Sequence, residues 1–220
     1  LVALRNGARN EPNTRATIVE LFEGLEVKSQ NRWPNLVLDL MQINNLASSL
    51  LTAGFYYKTF MGLPGWHFYE HFIRKAAGMG TATLEPDPDN YDKKHGFCDV
   101  LIIGGGVAGI TAALAAGRSG ARVIIMESEN GLGGQLRGEV EVLNGSSSME
   151  WVKSVVEELK ELDNVTILTR TTAFGYYDSN VINAIESVSD HLLIPAPYQV
   201  RQRLWQIRAK KVLIAAGATE

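Results

Sequence analysis

The sequence predicts an α/β fold from residue 97 onward, and three observations carry that prediction. An apolar, β-branched run, Val100–Ile103, breaks at a cluster of glycines and gives way to an alanine-rich stretch, Val107–Arg118. Two further short apolar runs, Arg122–Glu127 and Val165–Thr169, repeat the strand pattern on either side of a second helix-like segment. Strands that alternate with helices in this order build a parallel sheet covered by helices.

Each element has its own local reason. Asp99 sets a polar boundary before the first strand, and Gly120 can close the first helix in a left-handed cap. Residues 100–117 carry no charge over eighteen positions, the lower limit for a membrane span. Five glycines (104, 105, 106, 109 and 117) and the β-branched start fit a strand–turn–helix better, so no membrane span is expected. Ser147 and Glu150 have the spacing of a capping box, and Val152, Val155, Val156 and Leu159 share a helical face behind it. Segment 172–208 reads as short antiparallel strands with turns at Tyr177–Asn180 and around Pro195 and Pro197. Val212–Ala216 reads as a final buried strand.

The chain before residue 97 is less regular. Residues 1–84 hold amphipathic patches interrupted by Pro34 and Pro64, and are expected to form an irregular, α-rich docking segment. Eight of the eighteen aromatic residues fall between Phe55 and Phe72 and read as a packing surface. Residues 85–96, EPDPDNYDKKHG, read as an exposed linker, because prolines fix extended backbone and charges deny it a core. The expected organisation is therefore 1–84, a linker at 85–96, and a domain over 97–220 that is incomplete at its C-terminal side. A start at Leu1 without methionine and a stop just after an apolar run lead to the expectation of truncation at both ends.

Composition narrows the function. The 220 residues carry 21 basic and 24 acidic side chains, a net charge of −3, so no basic nucleic-acid footprint is expected. One cysteine, Cys98, excludes an internal disulfide or a thiolate metal cluster within this stretch and fits a reducing, cytoplasmic setting. Beside the first strand it reads as inert packing. His67 and His71 are four apart on one helical face, but the sequence has no glutamate beside the first histidine and no evident third ligand, so no metal site is assigned.

The motif with chemistry in it is Gly104-Gly105-Gly106-Val107-Ala108-Gly109, a GxGxxG between a strand and a helix. Gly104 permits the tight turn, Gly106 lets a pyrophosphate approach the backbone, and Gly109 lets helix and strand pack closely. The helix N-terminus offers N–H groups and a positive dipole end to phosphates. Glu127, 23 residues after Gly104 at the end of the next strand, is placed to accept hydrogen bonds from ribose hydroxyls. Ser128 follows it where a reader of a 2′-phosphate would want arginine, so NAD or FAD is preferred to NADP. These features predict a Rossmann-like FAD/NAD(P)-binding fold with a β-meander at 172–208.

The glycine pair in Gly131-Leu132-Gly133-Gly134-Gln135-Leu136 and the later Ala216-Gly217-Ala218 turn resemble the two-dinucleotide-binding flavoprotein superfamily. That resemblance adds Gly134, Gln135 and Ala173 to the cofactor-binding candidates, the last through backbone contact with adenine.

More specific strings lie upstream. Glu11-Pro12-Asn13, Arg15-Ala16-Thr17, Ser29-Gln30-Asn31-Arg32-Trp33-Pro34, Ala53 to Met61 (AGFYYKTFM) and Pro86-Asp87-Pro88-Asp89 resemble the α subunit of heterotetrameric sarcosine oxidase, a likeness that covers essentially the whole chain. It implies that residues 1–84 are the tail of a ferredoxin-like domain plus a docking segment. It also implies NAD at the glycine turn, with FAD and FMN elsewhere in a complex with β, γ and δ subunits. Such a complex oxidatively demethylates sarcosine to glycine, with tetrahydrofolate taking the one-carbon unit and oxygen giving hydrogen peroxide. The cofactor-binding candidates are then Gly104, Gly106, Ala108, Gly109, Glu127, Ser128, Gly134, Gln135 and Ala173; no catalytic residue is assigned. Val107 departs from the proline usual in this turn. Two alternatives remain: an FAD-binding α subunit of a related hydroxyproline or opine dehydrogenase, and a non-catalytic assembly subunit with a structural dinucleotide.

Overall fold

A computed structural model describes residues 1–40, 65–138, 142–143 and 145–217. The chain divides into two compact units, Leu1–Pro88 and Asp89–Glu220.

In the first unit, three short strands, β1 (Val2–Leu4), β2 (Glu11–Thr14) and β3 (Val27–Ser29), form an antiparallel sheet in the order β2-β1-β3. Single 3-10 turns follow β1 and β2, and one helix, α1 (Trp66–Ala76), is described. The described part is thus mixed rather than α-rich. Side chains at Asn13 and Gln30 satisfy backbone around these strands: the Asn13 N–H donates to Gln30 Oε1 and the Gly80 N–H to Asn13 Oδ1. Of the aromatic cluster, positions 55–64 lie outside the described residues. Phe68 and Phe72 stack on one helical face, ring centroids 5.3 Å apart, and both are exposed rather than buried in a core.

The second unit is built on one six-stranded sheet. Its elements are β4 (Asn90–Ile103), α2 (Val107–Arg118), β5 (Val123–Met126), the short pair β6 (Val142–Leu143) and β7 (Ser146–Ser147), α3 (Ser148–Glu161), β8 (Val165–Leu168), β9 (Thr171–Tyr177), β10 (Val181–Ser187) and β11 (Val200–Ile214). The strand order is β8-β5-β4-β11-β10-β9. β8, β5, β4 and β11 run parallel, and β11, β10 and β9 are antiparallel. This is the Rossmann-like sheet with an attached meander that the strand and helix pattern predicts.

Side-chain alternation divides the core between the two sheet faces. Ile102, Val123 and Ile125 point to the helices, where Ile110 and Ala113 of α2 and Val152, Val155 and Leu159 of α3 cover them. Leu101, Ile124, Met126 and Leu168 point the other way and pack with Ile182 and Ala184 of β10 and Ile207 and Ala209 of β11. α3 begins in the anticipated capping box: Ser147 Oγ accepts from the Glu150 N–H and Glu150 Oε2 from the Ser147 N–H. Gly117 lets α2 approach β8, since a Cβ there would sit 2.7 Å from Val165 Cγ2.

Three expectations change. The stretch read as an exposed linker, 85–96, is strand from Asn90 onward and pairs in parallel register with β11 from Asn90↔Val200 to Ile103↔Ile214. Its charges do not forbid the sheet because the neighbouring strands neutralise them. Arg203 meets Asp92 at 2.9 Å and Glu186 at 2.9 Å, and Lys94 lies over the Trp205 ring. The last meander strand and the expected final strand are one element of 15 residues, since nothing in Val200–Ile214 interrupts extended backbone. Its end is not buried: Leu213 is 41% and Ile214 63% exposed, because β10 accompanies β11 only as far as Arg208.

Candidate dinucleotide site

The parallel strands β4 and β5 end side by side, and the turns beyond their C-terminal ends form the site. After Ile103 the chain turns sharply at Gly104, with φ of +107°, and the Gly104 N–H donates to Met126 O at 2.9 Å. A side chain cannot fit here, because its Cβ would sit 2.3 Å from Ala215 O. At Gly109 a Cβ would come 1.9 Å from Gly104 O, so α2 rests directly on the turn. Gly106 differs: it caps α2, and a Cβ there would meet nothing within 4 Å, only the open space beside the turn.

That space is a cavity of about 740 Å³, within the range of small-molecule sites. Gly104, Gly106 and Ala108 line it from the turn and first helical residues, and Glu127 and Ser128 from the end of β5. Gly134 and Gln135 line it from the next loop, and Ala173 from β9. Eight of the nine sequence candidates thus surround one cavity, while Gly109 stands behind it as a packing glycine.

Glu127 is the one ionisable side chain among the described residues lining the cavity, and it is 8% exposed. Its Oε2 accepts from the Gly105 N–H at 2.6 Å, and its Oε1 from Ser128 Oγ at 2.9 Å and the Glu129 N–H at 3.0 Å. A carboxylate offers about four acceptor positions, so one stays open, and rotation of the Ser128 hydroxyl frees another. Beside it, the start of α2, whose N-cap Gly106 follows the Gly105 held by Glu127, has N–H groups that helix geometry leaves without intrahelical acceptors. The cavity therefore presents anion-favouring N–H groups next to a hydroxyl-accepting carboxylate.

Some lining residues lie outside the sequence motifs. Thr171 and Thr172 line the cavity just before Ala173, as do Met126 and Ala215. Thr171 joins the site because its N–H donates to Glu127 O at 2.8 Å, a long-range bond outside the strand ladders and not set by any local motif. The adjacency of two threonines to Ala173 is the one signal of them in the sequence.

The other candidates lie elsewhere. Cys98 is buried in the second core cluster, and burial pushes its thiol up to about 11, which keeps it protonated and unreactive at neutral pH. His67 and His71 share α1, with His67 Nδ1 3.7 Å from Glu70. Among the described residues no group of three or more His, Cys, Asp or Glu is placed to hold a metal ion, and no helix is long and apolar enough to cross a membrane.

Residues 99–185 match the family model of FAD dependent oxidoreductases. The sarcosine oxidase subunit alpha of Rhizobium meliloti (strain 1021) is 49% identical over 222 residues, covering 100% of this chain and 22% of the relative. That of Corynebacterium sp. (strain U-96) is 42% identical over 146 residues, 66% of this chain and 15% of the relative. Among solved structures, the L-proline dehydrogenase of P. horikoshii matches at 26% identity with a TM-score of 0.48, over 64% of this chain and 26% of its own. The chain spans about a fifth of the length of its curated relative from Rhizobium meliloti. Identity of 49% along the whole sequence makes the chain similar, from end to end, to one part of a sarcosine oxidase α subunit.

Proposed function

We propose that residues 97–217 bind the adenosine diphosphate half of a dinucleotide whose ribose carries no 2′-phosphate. The observation that carries this reading is that the α2 N-terminus and the Glu127 carboxylate line the same cavity. Backbone N–H groups at Val107 and Ala108 would hold the pyrophosphate, and the bare face of Gly106 makes room for it. Glu127 would take the ribose hydroxyls. Ser128 provides no cation for a 2′-phosphate, while Gly134, Gln135 and Ala173 enclose the remainder. When bound, the dinucleotide supplies hydride- or electron-transfer capacity.

The match to FAD dependent oxidoreductases over residues 99–185 supports FAD. NAD is the reading that the resemblance of the sequence motifs implies. In the wider proposal the chain is part of a cytoplasmic complex with β, γ and δ subunits that hold FAD and FMN. That complex oxidatively demethylates sarcosine to glycine with tetrahydrofolate and oxygen as acceptors. Residues 1–84 would contribute the tail of a ferredoxin-like domain and a docking surface.

Purification of the natural full-length protein without added nucleotide, followed by denaturation and identification of the released cofactor, separates NAD from FAD. Glu127→Ala is expected to weaken dinucleotide binding roughly tenfold to a hundredfold, the loss of one or two charge-assisted hydrogen bonds. Unchanged binding in that variant would sink the assignment. Sarcosine turnover that survives complete loss of nucleotide would favour a structural dinucleotide instead.

A further inference from the structure

We infer that Arg137 is a positioning residue of the dinucleotide site: its guanidinium fork ties the loop after β5 back on itself and so holds Gly133 and Gly134 against the glycine turn. The inference rests on the dinucleotide reading above. The loop in question, 128–134, carries two successive glycines at positive φ, +132° at Gly133 and +54° at Gly134. Glycine visits many other conformations at little cost, so a wall made of two of them needs an outside restraint.

Leu132 and Leu136 supply part of it, since both are buried in the helix-side core. Arg137 supplies the rest. Its Nη2 donates to Asn130 Oδ1 at 2.6 Å and its Nη1 to Gly131 O at 3.3 Å. Its stem lies along Gly133, where a Cβ would be 2.8 Å from Arg137 Cγ. With the loop pinned in this way, the Gly133 N–H donates to Gly105 O at 2.7 Å, and Gly134 approaches so closely that its Cβ would lie 3.0 Å from Gly106 Cα. The two glycine segments thereby form one continuous cavity wall.

Arg137 is itself exposed and does not line the cavity. Its role is therefore to set the loop, not to touch a ligand. Exposed hydrogen bonds of this kind contribute little to global stability. Their effect should appear in the affinity of a ligand that needs the loop in place, because pre-organisation lowers the cost of binding.

The test uses the natural full-length protein with Arg137→Met, which keeps the stem and removes the fork, and Arg137→Lys, which keeps the charge without the fork. NAD and FAD are each titrated by calorimetry, and amide exchange is followed at residues 133–136 without nucleotide. The expected result is roughly three- to tenfold weaker binding for Arg137→Met at nearly unchanged Tm. Faster exchange at 133–136 and little recovery in Arg137→Lys should accompany it. Parent-like affinity and exchange in Arg137→Met would overturn the inference. Full recovery by lysine would overturn it too, by assigning the effect to charge. If Arg137→Met does not fold, Asn130→Ala removes one acceptor and should give the same changes at smaller size; parent-like behaviour there would count against the clamp. If the parent binds neither nucleotide, the dinucleotide reading falls, while the exchange comparison still decides whether the clamp exists.

Discussion

The two ends of the β4–β11 ribbon are made of the same paired strands and have opposite chemistry. At the end reached by Ile103 and Ile214, apolar strands stop at glycine turns, and a cavity opens beside them. At the other end the strands carry acids and arginines that satisfy one another across the sheet. Arg201 joins Asp89 at 2.8 Å and Asp190 at 2.6 Å, and Arg203 joins Asp92 and Glu186. The contrast separates two uses of polarity. At the cavity end the Glu127 carboxylate keeps acceptor positions open for a ligand; at the far end Arg201, Arg203 and their four acids are committed to one another and hold the strands.

That contrast can be broken by experiment. The largest effect is expected from Arg201→Met, whose guanidinium side chain is 10% exposed and whose partner Asp89 is 4% exposed. Leaving two carboxylates without their cation should cost about 3–5 kcal/mol in denaturant unfolding of the full-length protein. Dinucleotide affinity of the folded variant should stay within about twofold of the parent, a change of under 0.5 kcal/mol. A weak stability loss together with lost binding would mean that the two ends are not separate. Gly109→Ala should do the reverse in kind. It forces α2 off Gly104 O, at a cost of roughly 1–3 kcal/mol, and displaces the N–H groups that face the cavity, so binding should fall as well. Retained affinity in that variant would show that the turn does not position the ligand.

The smallest effect concerns Asp99, on β4 between the two ends. Hydrogen bonds from the Arg122 guanidinium, then from Lys210, hold its carboxyl well below the usual carboxylate range. A carboxylate with a lowered folded pKa stabilises the protein at pH above its unfolded value of about 4 and loses that contribution as pH falls through the folded value. Asp99→Asn should therefore flatten the acid side of the stability profile slightly and leave neutral-pH binding unchanged. Acid titration of Tm checks this, and an unaltered profile would show that the ion pair is fully screened by solvent.

Legibility in the sequence divides along similar lines. Val107–Arg118, the Ser147 cap and the short strands around them are readable because each is fixed by neighbours a few residues away. The cavity-lining set is readable as far as the GxGxxG, Glu127 and the glycine pair extend, since Gly104, Gly133 and Gly134 stand at positive φ, Gly109 has no room for a side chain, and the acid falls at the motif's spacing. Asn90–Phe97 reads as linker up to Gly96 because its strand character comes from β11, more than a hundred residues later. Thr171 escapes notice for a like reason: its place depends on the hydrogen bond to Glu127 O, a residue 44 positions earlier, at the point where the chain leaves β8 and enters β9.

The sequence by itself determined the alternation of strands and helices after residue 97, the turn that only glycine can make at Gly104, and the acid at Glu127 that faces the cavity. These come from steric limits and hydrogen-bonding needs that act within one turn or one strand. Only the tertiary structure decided that charged residues 90–96 belong to a sheet. It also decided that one 15-residue strand joins the meander to the parallel core, and that Arg137 closes the loop against Gly106. Those outcomes depend on partners distant along the chain or on the exact path of a glycine-rich loop, and local propensity carries no information about either.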